Sequence, residues 1–154
     1  MLEQAGGVSL YQTRIGLFTV ATGSDKLACI HLTDKPLLRW HTTCCDTPLL
    51  HTVHSGRFPF VTVLDRICDA QLRETVLGPP KGHIFPESAT EPLDGNAPRA
   101  SFVRIMRRFL QRLLHDYLTG DFRRSPLFDH RTQRPIAVPR RLSLAEEQAL
   151  GRPH

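Results

Sequence analysis

Four cysteines and eight histidines are the side chains of this 154-residue sequence best suited to chemistry, and several crowd into one stretch. Cys44 and Cys45 are adjacent, His41 precedes them, and His51 and His54 follow. Thiolate and imidazole are donors that zinc prefers, but a structural zinc site takes four ligands, most economically as two close pairs such as Cys-x-x-Cys. No Cys-x-x-Cys occurs here. A mixed Cys/His site around Cys44 and Cys45 is one reading; reduced thiols without a metal is the plainer one. Cys29 and Cys68 stand alone on apolar stretches, where cysteine behaves as a small buried hydrophobe. Nucleophilic use of Cys44 or Cys45 requires a lowered thiol pKa, for which Arg39 or His41 offers a cation. The sequence has neither a Gly-x-Ser-x-Gly elbow nor a phosphate-cradling Gly-rich loop.

The elements that must position these residues follow from pattern and punctuation. Hydrophobic residues at 40% and charged residues at 23% describe an ordinary globular chain, which sets aside wholesale disorder and fibrous repeats. Short apolar runs alternate with turn residues through the first half, predicting strands at Val8–Thr13, Gly16–Ala21, Leu27–Leu32, Leu37–Thr42 and Phe60–Leu64. A short helix is expected over Asp69–Leu77, with Asp69 as N-cap, Leu72 and Val76 on one face, and Gly78-Pro79-Pro80 as the stop. Lys81–Arg99 is rich in Pro and Gly without periodicity and reads as a connecting loop.

Ser101–Leu118 shows the clearest periodicity. Phe102, Ile105, Met106, Phe109, Leu113, Leu114 and Tyr117 fall on a helical stripe expected to cover the sheet, ending at Gly120. Ser143-Leu144-Ala145-Glu146 has the capping-box pattern of a last short helix ended by Gly151 and Pro153. The expected architecture is α+β: a β-rich part over residues 1–80, a loop over 81–99, and a helical C-terminal part over 100–154 packed on the sheet.

Charge divides unevenly. Residues 1–98 hold 8 Lys+Arg against 10 Asp+Glu, while residues 99–154 hold 12 against 5, and those 12 are all arginine. The net charge is +5. Arginine suits phosphate or carboxylate recognition, so a surface for an acidic partner is one expectation. Nucleic acid is not expected, because the aromatics of the basic helix fall on its apolar stripe and cannot also stack on bases. No window approaches the roughly 20 apolar residues of a membrane span, and no signal peptide is visible, so a cytoplasmic location without a membrane partner is expected.

The segment Trp40-His41-Thr42-Thr43-Cys44-Cys45-Asp46-Thr47-Pro48-Leu49 resembles the glutathione-dependent formaldehyde-activating enzyme family, zinc-binding proteins on a folded-over β-sheet. Gly6-Gly7 with Gln12-Thr13, Leu27-Ala28-Cys29, Leu38-Arg39-Trp40 and Arg124-Ser125-Pro126-Leu127-Phe128-Asp129 extend the likeness to a branch of that family to which no activity is assigned. The family holds zinc through an early Cys-x-Cys, a following Cys-x-x-Cys and a later Cys-x-x-Cys-Gly-Thr-Pro. Matching Thr47-Pro48 to the last places Cys45 on its second cysteine, Thr42 on its first and Asp46 on its glycine.

The resemblance implies a shortened relative that lacks the early ligands. Its metal residues would be Cys45 and Cys44, its zinc absent or weakly held, and its activity that of a carbon–sulfur lyase on a glutathione adduct. The alternative is a non-enzymatic binding module whose arginine-rich C-terminal surface meets an acidic partner.

Overall fold

The computed structural model describes residues 7–32, 35–69, 71, 73–78, 81–84, 86, 89–90, 99–143 and 145–146. Strands β1 (Leu10–Arg14), β2 (Leu27–His31), β3 (Leu37–Thr42), β4 (Pro48–Val53), β5 (Phe60–Leu64) and β6 (Arg140–Arg141) form one sheet in the order β1-β5-β4-β3-β2-β6. Helix α1 (Phe102–Thr119) follows the first five strands. All pairings are antiparallel except β2 with β6, which is parallel. The architecture is α+β.

Alternation in the strands builds the core. Leu38 and Trp40 of β3, Leu50 and Thr52 of β4, and Val61 and Val63 of β5 all point to one face and are buried. The register runs Cys29, Trp40, Leu50 and Val63 across four neighbouring strands. Leu127 and Phe128 cover this row from the C-terminal part, and the Phe128 ring meets Trp40 edge-on at 6.2 Å. Each fully buried side chain of this size stabilises the fold by about 1.5–3 kcal/mol. The opposite face carries Phe60 and Thr62 beside Gln12 and Arg14, and there α1 docks: Phe109 packs edge-on against Phe60 at 6.0 Å, and Arg112 Nη1 donates to the Gln12 carbonyl at 3.2 Å.

Strand β6 lies in the part expected to be helical, and two further features differ from the sequence expectation. Gly16–Ala21 is not a strand; Ile15–Leu17 make a 3-10 turn, and Gly16 lies so close to the chain at Asp121 that a Cβ there would stand 2.8 Å from its carbonyl oxygen. Close packing on the C-terminal part replaces ladder pairing. Strand β4 was not expected, because Leu49 and Leu50 in succession hide the alternation and Pro48 reads as a breaker. Proline is tolerated at the first position of a strand, where it stands.

The termini of the helices follow their signals. Asp69 Oδ1 accepts from the Gln71 amide at 2.9 Å, and a π-type turn over Arg73–Leu77 ends at Gly78 with φ 66°. Leu72 lies outside the described residues. Gly120, at φ 73°, ends α1. The Ser143–Glu146 capping box is closed from both sides, by Ser143 N to Glu146 Oε2 at 2.8 Å and Glu146 N to Ser143 Oγ at 3.3 Å; Gly151 and Pro153 lie outside the described residues.

Candidate functional site

Cys44 and Cys45 sit in the tight turn that joins β3 to β4. The Asp46 amide donates to the Thr42 carbonyl at 3.0 Å, and the Thr42 amide donates to the Thr47 carbonyl at 3.1 Å. To close this turn Asp46 takes φ 51°, a left-handed conformation that Asp tolerates better than most residues.

The turn gathers polar hydrogens around one sulfur. Cys45 Sγ lies 3.0 Å from Thr42 Oγ1, 3.0 Å from Thr47 Oγ1 and 3.5 Å from Cys44 Sγ. Thr42 Oγ1 also accepts from the Thr47 amide at 3.2 Å, which leaves its own O–H free to donate to sulfur. Hydrogen bonds from Thr42 and then Thr47 favour the thiolate and bring the Cys45 pKa down to about 7. Both cysteines are exposed, so this sulfur is open to reagents.

Expected helpers are placed otherwise. Arg39 lies 3.3 Å from His51 Nε2 across the β3–β4 pair, and burial followed by the Arg39 charge lowers the His51 pKa to about 4. Hydroxyl hydrogen bonds, not a neighbouring cation, lower the Cys45 pKa. His41 Nε2 faces Asp46 Oδ1 at 3.9 Å. Cys29 is buried, its Sγ donating to the Ala137 carbonyl at 3.5 Å, and burial raises its pKa to about 11. It is an inert core residue.

The fit to zinc is partial. Two sulfurs bound to one tetrahedral zinc stand about 3.8 Å apart, and the 3.5 Å between Cys44 and Cys45 approaches that edge. Among the described residues, no third His, Cys or carboxylate joins this pair in a compact ligand set, so His51 and His54 do not complete it. Among the described residues the Cys44–Cys45 pair would supply two of the four ligands that a tetrahedral zinc takes.

A second polar cluster, His115, Asp116 and Asp121, has ligand atoms within 4.8 Å of one another. Its central cation is already present. Arg14 Nε lies 2.7 Å from Asp116 Oδ1, and Arg14 Nη2 donates to Asp121 Oδ2 at 2.9 Å. The Nε contact is an ion pair without hydrogen-bond alignment. This network joins β1 to α1 across more than a hundred residues, and no local sequence signal marks it.

The profile of DUF6151, a family of unknown function, matches residues 1–138, which include β1 to β5, the thiol turn and α1. The chain belongs to the DUF6151 family. No curated protein and no solved structure matches it. Family membership therefore leaves the function of this DUF6151 chain to its own chemistry.

That chemistry is directly measurable at the turn. The rate of iodoacetamide alkylation at Cys45, read by peptide mass spectrometry, is expected to rise with pH through a midpoint about 7. Replacing Thr42 or Thr47 with Val removes a donor to the thiolate and should move the midpoint upward. An unchanged midpoint in both variants would show that the hydroxyls do not set it.

Proposed function

We propose that the chain is a degenerate relative of the glutathione-dependent formaldehyde-activating carbon–sulfur lyases, with Cys45, and Cys44 beside it, as the remnant of a zinc–thiolate site. One observation carries this reading: Thr42 Oγ1 and Cys45 Sγ, at the positions of the family's late cysteine pair, converge to 3.0 Å in a turn closed by Asp46. A thiol in place of the Thr42 hydroxyl would face Cys45 in the same turn. In an intact relative, zinc-bound thiolates hold a glutathione adduct while its carbon–sulfur bond forms or breaks. Here the residues supply an activated thiolate and half a metal site, so the metal-dependent step is impaired.

Thr42→Cys tests the reading. The variant should hold zinc measurably tighter than the parent by elemental analysis after dialysis, and calorimetry with zinc present should show glutathione binding. Unchanged zinc content together with no heat from glutathione would remove the lyase relationship.

A second reading, a binding module for an acidic partner, is favoured by the arginines of the C-terminal part. Arg104, Arg107 and Arg108 of α1 are exposed and pair with no carboxylate among the described residues. Beyond the C-terminal end of α1, Arg57, Arg123, Arg131 and His130 line an open cleft of about 690 Å³ with the Tyr117 and Phe122 rings.

A further inference from the structure

Helix α1 carries an apolar surface that the fold leaves open. Its docked side consists of half-buried Ile105, Phe109 and Leu113 with buried Asp116, whereas Val103, Leu110, Leu114 and Leu118 are 75%, 52%, 62% and 79% exposed. Met106 and Tyr117 lie between them and are also exposed. At 3.6 residues per turn these six positions span a sector of about 120°, and from Val103 to Leu118 they extend about 23 Å along the axis. That sector is wider than the two-position seam used to pair with a single helix.

Charge flanks the same surface on one side and also enters it. Exposed Arg104 and Arg108 lie beyond Leu118 around the helix, exposed Arg107 projects between Leu114 and Leu118, and the one acidic residue of the helix, Asp116, is buried against Arg14. A second copy packed by two-fold symmetry would bring arginine edges together, with no exposed acid on either helix to offset them. A broad apolar sector flanked by Arg104 and Arg108, with the long Arg107 side chain rising from within it, suits a helix lying in the headgroup region of a bilayer, where arginine stems lie on apolar surface and their guanidinium groups reach the phosphates. We propose that α1 docks in the plane of an anionic lipid surface. This rests on the acidic-partner reading and names the partner.

No helix of the described residues is long and apolar enough to cross a membrane, and an in-plane contact requires none. The sequence-based expectation of no membrane partner holds for spanning helices among the described residues.

The full chain is sedimented with vesicles of phosphatidylcholine alone and of phosphatidylcholine with phosphatidylglycerol in equal parts. Pelleting with the anionic vesicles, weakened by added salt and absent with phosphatidylcholine alone, is the expected result. Leu110→Glu with Leu114→Glu should reduce partitioning by about tenfold or more, because two apolar contacts are lost. Circular dichroism checks that this double variant retains its helix; Arg104→Glu, at an exposed position outside the sector, gives an independent loss confined to the anionic vesicles.

No pelleting of the parent protein overturns the proposal, as does equal pelleting of the Leu110/Leu114 variant. A stable dimer in analytical ultracentrifugation that this variant abolishes also overturns it, since the surface would then join two copies. Binding to soluble polyglutamate without binding to vesicles sinks the lipid assignment while the acidic-partner reading stands. Absence of both sinks both.

Discussion

Replacing Arg14 with Met is expected to destabilise the protein by about 3–5 kcal/mol at neutral pH, because it leaves a buried carboxylate without its cation. Asp116 is fully buried and Arg14 is 20% exposed, so little solvent is available to take over the charge. Met preserves most of the side-chain volume, which confines the change to electrostatics. The pH dependence identifies the group responsible.

Burial pushes the Asp116 carboxyl above its ordinary 3.8, and the Arg14 charge pulls against that rise. A folded-state pKa above the unfolded one means that the folded protein binds the proton more tightly. The associated stability is full below the unfolded value and is lost as pH rises through the folded value. Without Arg14 the folded pKa moves higher still. The deficit of Arg14→Met relative to the parent should therefore be largest at neutral pH and shrink as the pH falls through the variant's own value. Urea unfolding of both proteins at neutral and mildly acidic pH measures it; a deficit constant across that range would clear Asp116 of the effect.

Trp40→Ala is expected to cost about 3–5 kcal/mol, as removal of a large ring from a close-packed core does. Trp40 lies in the middle of the core row and packs against Phe128, and its Nε1 donates to Thr52 Oγ1 at 2.8 Å. Truncation opens a cavity and also leaves the buried Thr52 hydroxyl without its partner. Trp40→Phe keeps much of the packing and loses the donor, which should cost about 1–3 kcal/mol. Trp40 is the single tryptophan, so unfolding is followed by circular dichroism. Equal losses in the two variants would assign the whole effect to the hydrogen bond and none to the cavity.

Local pattern was enough to find β3 and β5 with their observed limits, β2 to within a residue, and α1 shifted by one position. In each, a hydrophobic period of two or 3.6 meets turn residues or Gly120 at its ends, so local preference and burial agree. At Gly16–Ala21 they disagree, because close contact with the chain at Asp121 decides the backbone there. The helix shows a finer failure. Its periodicity marked one apolar stripe, but only part of that stripe meets the sheet, since the Arg14–Asp116 contact fixes which side of α1 faces inward.

The thiol site was half legible for a related reason. Cys44 and Cys45 stood out by type, and the formaldehyde-activating pattern assigned positions to Thr42 and Asp46. What the residue string could not convey is that the turn brings two threonine hydroxyls onto Cys45. Sequence reasoning sought a cation for the thiolate, and the structure provides neutral donors.

The parallel partnership of β2 with β6 bears on the order in which the molecule assembles. Residues 140–141 must return to residues 30–31, and Leu127 and Phe128 must reach the row of Cys29, Trp40 and Leu50, before the core is closed. The central strands leave the ribosome with their apolar face uncovered, and more than sixty residues separate the end of β5 from the two side chains that cover it. Contacts of such sequence separation slow folding, since loop closure is costly before any burial offsets it. Chains arrested before Leu127 should therefore present a protease-sensitive, aggregation-prone sheet, and those released past Arg141 a closed one.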